Sequence, residues 1–235
     1  MRLALALLLT AAAPVWAAET FSTSAGNLVI TPLGHGSVQL EFSGKTWYLD
    51  PWTRAADYAA LPKADVILIT DIHGDHMDPA AIEAAKQDST VILAPEAVAK
   101  TVKEAQVIAN GESKLIAGVK VEAIPMYNLQ RGPEPGKLFH DKGRGNGYVL
   151  TFGDKRIYFS GDTEAHPEMR ALKDIDVAFV CMNLPYTMPP DEAADGVRTF
   201  APAVVYPYHY RGSDLEVFKK GLEGAPVEVR LREWY

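Results

Sequence analysis

The chain has 235 residues, 48% of them hydrophobic and 23% charged, with 18 Gly and 16 Pro, which excludes a disordered tail, a collagen-like fibre and a coiled coil. A net charge of −7, from 23 basic against 30 acidic residues, argues against a nucleic-acid partner. One cysteine, Cys181, excludes an internal disulfide and a Cys-rich zinc site, so any metal must be held by imidazole and oxygen.

Met1-Arg2, the apolar run Leu3 to Ala13 and the small-residue site Val15-Trp16-Ala17 predict a secretory signal peptide, cleaved after Ala17 or Ala18. The run is too short to span a bilayer as a stable anchor, and an uncleaved N-terminal anchor is the alternative reading. The expected organisation is therefore a signal peptide over 1–18 and a single domain over 19–235. The product is then periplasmic or secreted, with no membrane anchor after cleavage.

Strand-like apolar runs follow at Leu28–Leu33, Val38–Phe42, Trp47–Leu49, Val66–Thr70, Val91–Ala94 and Val119–Pro125. After a polar gap come Tyr148–Phe152, Arg156–Ser160, Val177–Met182, Val204–Tyr208 and Val227–Leu231. Gly44-Lys45 and Gly153-Asp154-Lys155 read as hairpin turns. Helical patterns cover Pro79–Lys86, Glu96–Glu104, Pro167–Lys173, Asp191–Phe200 and Asp214–Leu222, with Asp78-Pro79 as a helix start. Each half places hairpins before strand–helix alternation, the second half starting near Asn146, which suggests two sheets packed face to face with helices outside. The stretch from Asn128 to Asn146 has little periodicity; a lid or binding loop and a solvated insertion both fit it.

The chemistry concentrates in Val66-Ile-Leu-Ile-Thr-Asp-Ile-His-Gly-Asp-His-Met-Asp-Pro. A buried strand runs into a tight loop that carries Asp71, His73, Asp75 and His76, four metal-binding groups at a strand's C-terminal end. In extended chain Asp71 and His73 point the same way, and Gly74 allows a turn that redirects Asp75 and His76, so two neighbouring metal positions fit. Asp162 ends another strand after Gly161, where a carboxylate could bridge two cations. His209 ends a third.

Here the sequence resembles the metallo-β-lactamase superfamily. Its His-x-His-x-Asp-His motif is matched by Asp71-Ile72-His73-Gly74-Asp75-His76, with Asp in place of the first His; Gly161-Asp162-Thr163 and the late His209 also match. Gly34-His35-Gly36-Ser37 and Asp50-Pro51 resemble the signature of the branch that includes L-ascorbate-6-phosphate lactonases and N-acylphosphatidylethanolamine phospholipases D. The resemblance implies a four-layer αββα sandwich. It implies Asp71, His73 and Asn128 at one metal, Asp75, His76 and His209 at the other, and Asp162 between them. Asn128 stands where the family has a His, three residues after Pro125. The oxygen-rich first position would favour Mn or Fe over Zn, whereas the second suits Zn. A mixed-metal pair, a single metal at the second site and a centre that has lost activity all stay open.

The resemblance also places His35 near the centre, and Asp75, Asp162 and His35 are the expected catalytic residues. Asp50 is a candidate for orienting a ligand. His140 lies in the long loop with Arg131, Lys137, Lys142 and Arg144, cations able to hold an anionic group on a small-molecule substrate or simply to be solvated. His166 reads as a surface or capping residue. Together these residues imply an exported metal-dependent hydrolase of an ester, lactone or phosphodiester bond. The rival reading is a non-catalytic or single-metal binding protein that keeps the fold.

Overall fold

The computed structural model describes residues 18–235, so residues 1–17, which carry nearly all of the expected export signal, lie outside the described residues. The first sheet takes the strands in chain order: β1 (Glu19–Thr23), β2 (Gly26–Gly34), β3 (Ser37–Phe42), β4 (Lys45–Leu49), β5 (Val66–Leu68), β6 (Val91–Ala94) and β7 (Gln106–Val107). The second contains β8 (Ser113–Ile116), β9 (Val119–Met126), β10 (Gly145–Phe152), β11 (Lys155–Phe159), β12 (Val177–Cys181), β13 (Val204–Tyr208) and β14 (Glu228–Val229), again in chain order. In both sheets antiparallel hairpins give way to parallel strands. Five helices join them: α1 (Pro79–Ala85), α2 (Glu96–Ala99), α3 (Pro167–Arg170), α4 (Pro190–Phe200) and α5 (Leu215–Gly221).

The turns follow the local chemistry. Ser43 and Gly44 both have positive φ, 50° and 71°, the type I′ geometry that matches strand twist, and Gly153 with φ 60° opens the β10–β11 turn. Asp78 caps α1 through its carboxylate, with Pro79 at the first helical position. The repeat begins earlier than expected. The second sheet starts at Ser113 rather than near Asn146, because a tight turn at Ala117-Gly118 folds β8 onto β9. Helix α2 also stops at Ala99, short of the predicted Glu104.

Side-chain alternation on β5 builds the layers. Val66 and Leu68 face the core between the sheets, whereas Ile67 joins Ala81, Ile82 and Ala85 of α1 on the outer face. Between the sheets Phe152 packs edge-on against Phe42 and Trp47, with centroids 5.1 and 6.0 Å away. The result is the expected αββα sandwich. The ends of β4, β5, β11 and β13 lie along one edge, where fixed strand roots present loops to a common space.

Candidate metal centre

Four strand ends and two loops supply the centre, the second loop being the β9–β10 connection that carries His140. The β2–β3 turn carries His35, β4 leads into Asp50, β5 into Asp71–His76, β11 into Asp162, and β13 into His209. His35, Asp50 and His209 all have positive φ, 53°, 44° and 46°, a conformation that costs non-glycine residues about 1 kcal/mol or more and that clusters at functional sites. Gly36 packs closely under the site, since a Cβ there would stand 3.2 Å from the His209 ring and press on it.

The buried polar atoms are the decisive feature. His76 Nε2, His140 Nε2, His209 Nε2 and Asp162 Oδ1 are all buried without a hydrogen-bond partner, although such orphans are costly. They face one another. His76 Nε2 lies 3.4 Å and His140 Nε2 3.5 Å from Asp162 Oδ2, and His209 Nε2 lies 3.5 Å from Asp162 Oδ1. These gaps exceed an ordinary N–H···O bond. They match the roughly 3.4 Å edge between two ligands held about 2.1 Å from a shared tetrahedral cation. Imidazole and carboxylate donors also suit zinc and similar cations. Three triads have mutually close ligand atoms: His76–Asp162–His209, His35–Asp75–His209 and Asp71–His73–His140.

Each imidazole is aimed by a partner on its other nitrogen. His76 Nδ1 donates to Asp50 Oδ2 at 2.7 Å, and Asp50 is also fixed by the backbone and hydroxyl of Thr70. His140 Nδ1 donates to Asn128 Oδ1 at 2.6 Å. His35 Nε2 meets Asp75 Oδ2 at 2.9 Å, and Asp75 Oδ2 is 3.4 Å from His209 Nε2. An ionised carboxylate only accepts, so His35 carries its proton on Nε2 and accepts through Nδ1 from the Tyr235 hydroxyl at 2.7 Å. His35 thereby positions Asp75.

Electrostatics point the same way. Burial would raise the carboxyls of Asp162 and Asp75, but the imidazoles around them hold both well below the usual range. Burial would lower His76, yet Asp162 and Asp50 outweigh it and raise it well above its ordinary value. His140 is pushed down to about 4 by burial, which leaves a neutral ring with a free lone pair. The pocket attracts positive charge.

Asn128 is a correction. It does not sit among the ligands: its Oδ1 accepts from both His140 N–H groups, and its Nδ2 donates to Glu164 Oε1 and the Tyr186 carbonyl. No lone pair is left for a cation. His140, missed as a ligand, takes the place beside Asp71 and His73. Asp71 itself is shared between His73 Nδ1 at 2.9 Å and a two-pronged contact from Arg144 at 3.0 and 2.9 Å. A lone His in a loop closed by Gly143 was the available signal for His140.

The long loop is fastened rather than free. The buried Glu164 carboxylate accepts from the backbone N–H groups of Leu129 and Arg131. The four loop cations, for which both an anion-holding and a solvated role were open, are instead paired with carboxylates: Arg131 with Glu192, Lys137 with Glu134, Lys142 with Glu168 and Arg144 with Asp71. His166 does cap α3, accepting from Met169 N–H, but it is buried rather than on the surface. A cavity of about 420 Å³ opens over the centre, with Trp52, His73, Phe139 and Tyr186 in its walls.

Residues 29–209 match the Beta-lactamase superfamily domain. The chain belongs to the β-lactamase superfamily. Within that superfamily, a UPF0173 metal-dependent hydrolase from Thermococcus onnurineus is 32% identical over 215 residues, 84% of this chain and 92% of that protein. A crystal structure from Parabacteroides distasonis, of a protein named as a metal-dependent hydrolase, is 41% identical. It has a TM-score of 0.89 and covers 94% of this chain and 100% of its own. The metallo hydrolase Igni18 from Ignicoccus hospitalis shares the superfamily fold at 24% identity, with a TM-score of 0.70 over 88% of this chain and 95% of its own. The present superfamily member is a metal-dependent hydrolase.

Proposed function

We propose that this protein is an exported hydrolase that cleaves an ester, lactone or phosphodiester bond of a small molecule, with one or two zinc ions held around Asp162. The observation that carries the reading is the convergence of three orphaned imidazole nitrogens on one buried carboxylate. His76, His209 and Asp75 would hold one ion, Asp71, His73 and His140 the other, and Asp162 would touch both. Because His140 replaces Asn128 in the second set, that position offers two imidazoles instead of one, which moves its preference from Mn or Fe toward Zn. A divalent cation there supplies Lewis-acid chemistry, acidifying water and polarising the scissile carbonyl or phosphoryl group. His35 holds Asp75 in place, while Trp52, Phe139 and Tyr186 line the cavity over the centre. The Gly34–Ser37 and Asp50-Pro51 signature supports the choice of bond classes, and the Met1–Ala17 pattern supports export.

The test is turnover of 4-nitrophenyl acetate, a δ-lactone and bis(4-nitrophenyl) phosphate by protein purified without chelator. Support is activity on at least one that is abolished by chelation, restored by zinc and reduced at least ~100-fold by Asp162→Asn. Activity that survives both treatments would contradict the reading.

A further inference from the structure

We propose that Arg54 and Arg211 form an anion-binding subsite beside the metal centre, one that takes a carboxylate or phosphate monoester group of the substrate. The term substrate rests on the hydrolase reading above; the anion site does not.

The arginine census separates these two residues from the rest. Every other arginine among the described residues donates its guanidinium to a carboxylate or a backbone carbonyl. Arg54 and Arg211 make no such ion pair or hydrogen bond among the described residues, in a chain whose acidic residues outnumber its basic ones 30 to 23. Isolated surface arginines are often simply solvated. These two, however, both line the cavity that contains His35, His73, Asp75, Asp162 and His209.

Their placement suits recognition. A second cavity of about 220 Å³ adjoins the first, and the two share His35, Trp52, Arg54 and Arg211, so both arginines stand at the junction. Leu33, Ala55, Trp52 and Trp234 make its wall apolar. Arg54 Cζ sits 5.7 Å from the Trp52 ring centroid, and Arg211 Cζ 5.7 Å from that of Tyr235. Such cation–π contacts hold a guanidinium over a ring face without using its N–H donors. An oxyanion is the ligand that matches two sets of unspent planar donors. The loop cations are excluded from this task by their own carboxylates. Arg211 follows His209 by two residues, so the strand end that presents a metal-facing imidazole also presents the anion contact.

The test is calorimetric titration of the zinc-loaded protein with glutarate and with phenyl phosphate, against the neutral glutaramide and benzyl alcohol. Each anion is expected to bind at least ~10-fold tighter than its neutral counterpart, and Arg54→Gln and Arg211→Gln each to weaken the anion by about 10-fold. The tighter of the two anions assigns carboxylate or phosphate. Anion binding that survives both arginine substitutions and disappears in Asp162→Asn would place the anion on the zinc ions alone and overturn the subsite. No preference for the anions would overturn it equally. Arginine-dependent binding without turnover of any ester, lactone or phosphodiester would sink the proposed bond classes and leave the subsite standing.

Discussion

Each imidazole that turns a nitrogen toward Asp162 has its other nitrogen beside a partner: Asp50 for His76, Asn128 for His140 and the Asn183 amide, 3.3 Å away, for His209. Partners of this kind fix ring orientation, and their loss typically costs 10–100-fold in metal affinity or activity. Asn128→Ala removes the acceptor for two His140 N–H groups, so metal affinity measured by chelator competition is expected to fall by about that factor while the circular-dichroism spectrum stays unchanged. An unaltered affinity would mean that His140 is held by its loop alone. The Asp71–His76 cluster is legible because its four side chains lie within six residues and follow a buried strand. His140 is not, because its loop has no periodicity and its role depends on a contact twelve residues back in the sequence. Asn128, three residues after Pro125, occupied the expected ligand position in sequence but spends its amide on orienting another residue.

At the scale of elements, the buried strands and most helices could be read from apolar runs and caps, whereas the short β1 and β8, half-exposed, and β7, exposed throughout, could not. The β8–β9 turn uses Ala117 at φ 47°, an unfavourable choice for left-handed backbone that masks the hairpin signal. Helix α3 depends on an acceptor that titrates. Burial pushes His166 down to about 4 from its ordinary value near 6.5, and its neutral Nδ1 accepts from Met169 N–H. The folded state therefore resists a proton that the unfolded chain takes up, so this contribution is present above about pH 6.5 and is lost as pH falls toward 4. Its size is roughly 3 kcal/mol. His166→Asn keeps a cap but not the titration, and urea unfolding at pH 7 and pH 4.5 is expected to show a smaller acid loss for the variant. Equal losses in the two proteins would remove His166 from the account.

The whole molecule is a clamp of two sheets whose shared core holds the strand ends in register. Phe152, fully buried between Phe42 and Trp47, joins the two sheets. Phe152→Ala is expected to cost about 3–5 kcal/mol, read as a lowered urea midpoint at unchanged slope. Because Asp50, His76 and His35 come from the first sheet and His140, Asp162 and His209 from the second, loss of register between the sheets should release metal before the chain unfolds completely. Metal release and loss of near-ultraviolet ellipticity along the same urea titration would show that order, and coincident midpoints would contradict it. The αββα layering could be anticipated from the repeated hairpin-then-alternation pattern. The boundary between the halves could not, because β8 is too short and too exposed to announce itself.

The central claim is that His76, His140, Asp162 and His209 jointly hold metal, and elemental analysis of chelator-free protein tests it most directly. The wild type is expected to contain one or two equivalents of zinc per chain, and His140→Ala and Asp162→Asn to lose at least one while remaining folded. A wild type that contains no metal and takes up neither zinc nor manganese on addition, or a His140→Ala variant with undiminished content, would contradict the account.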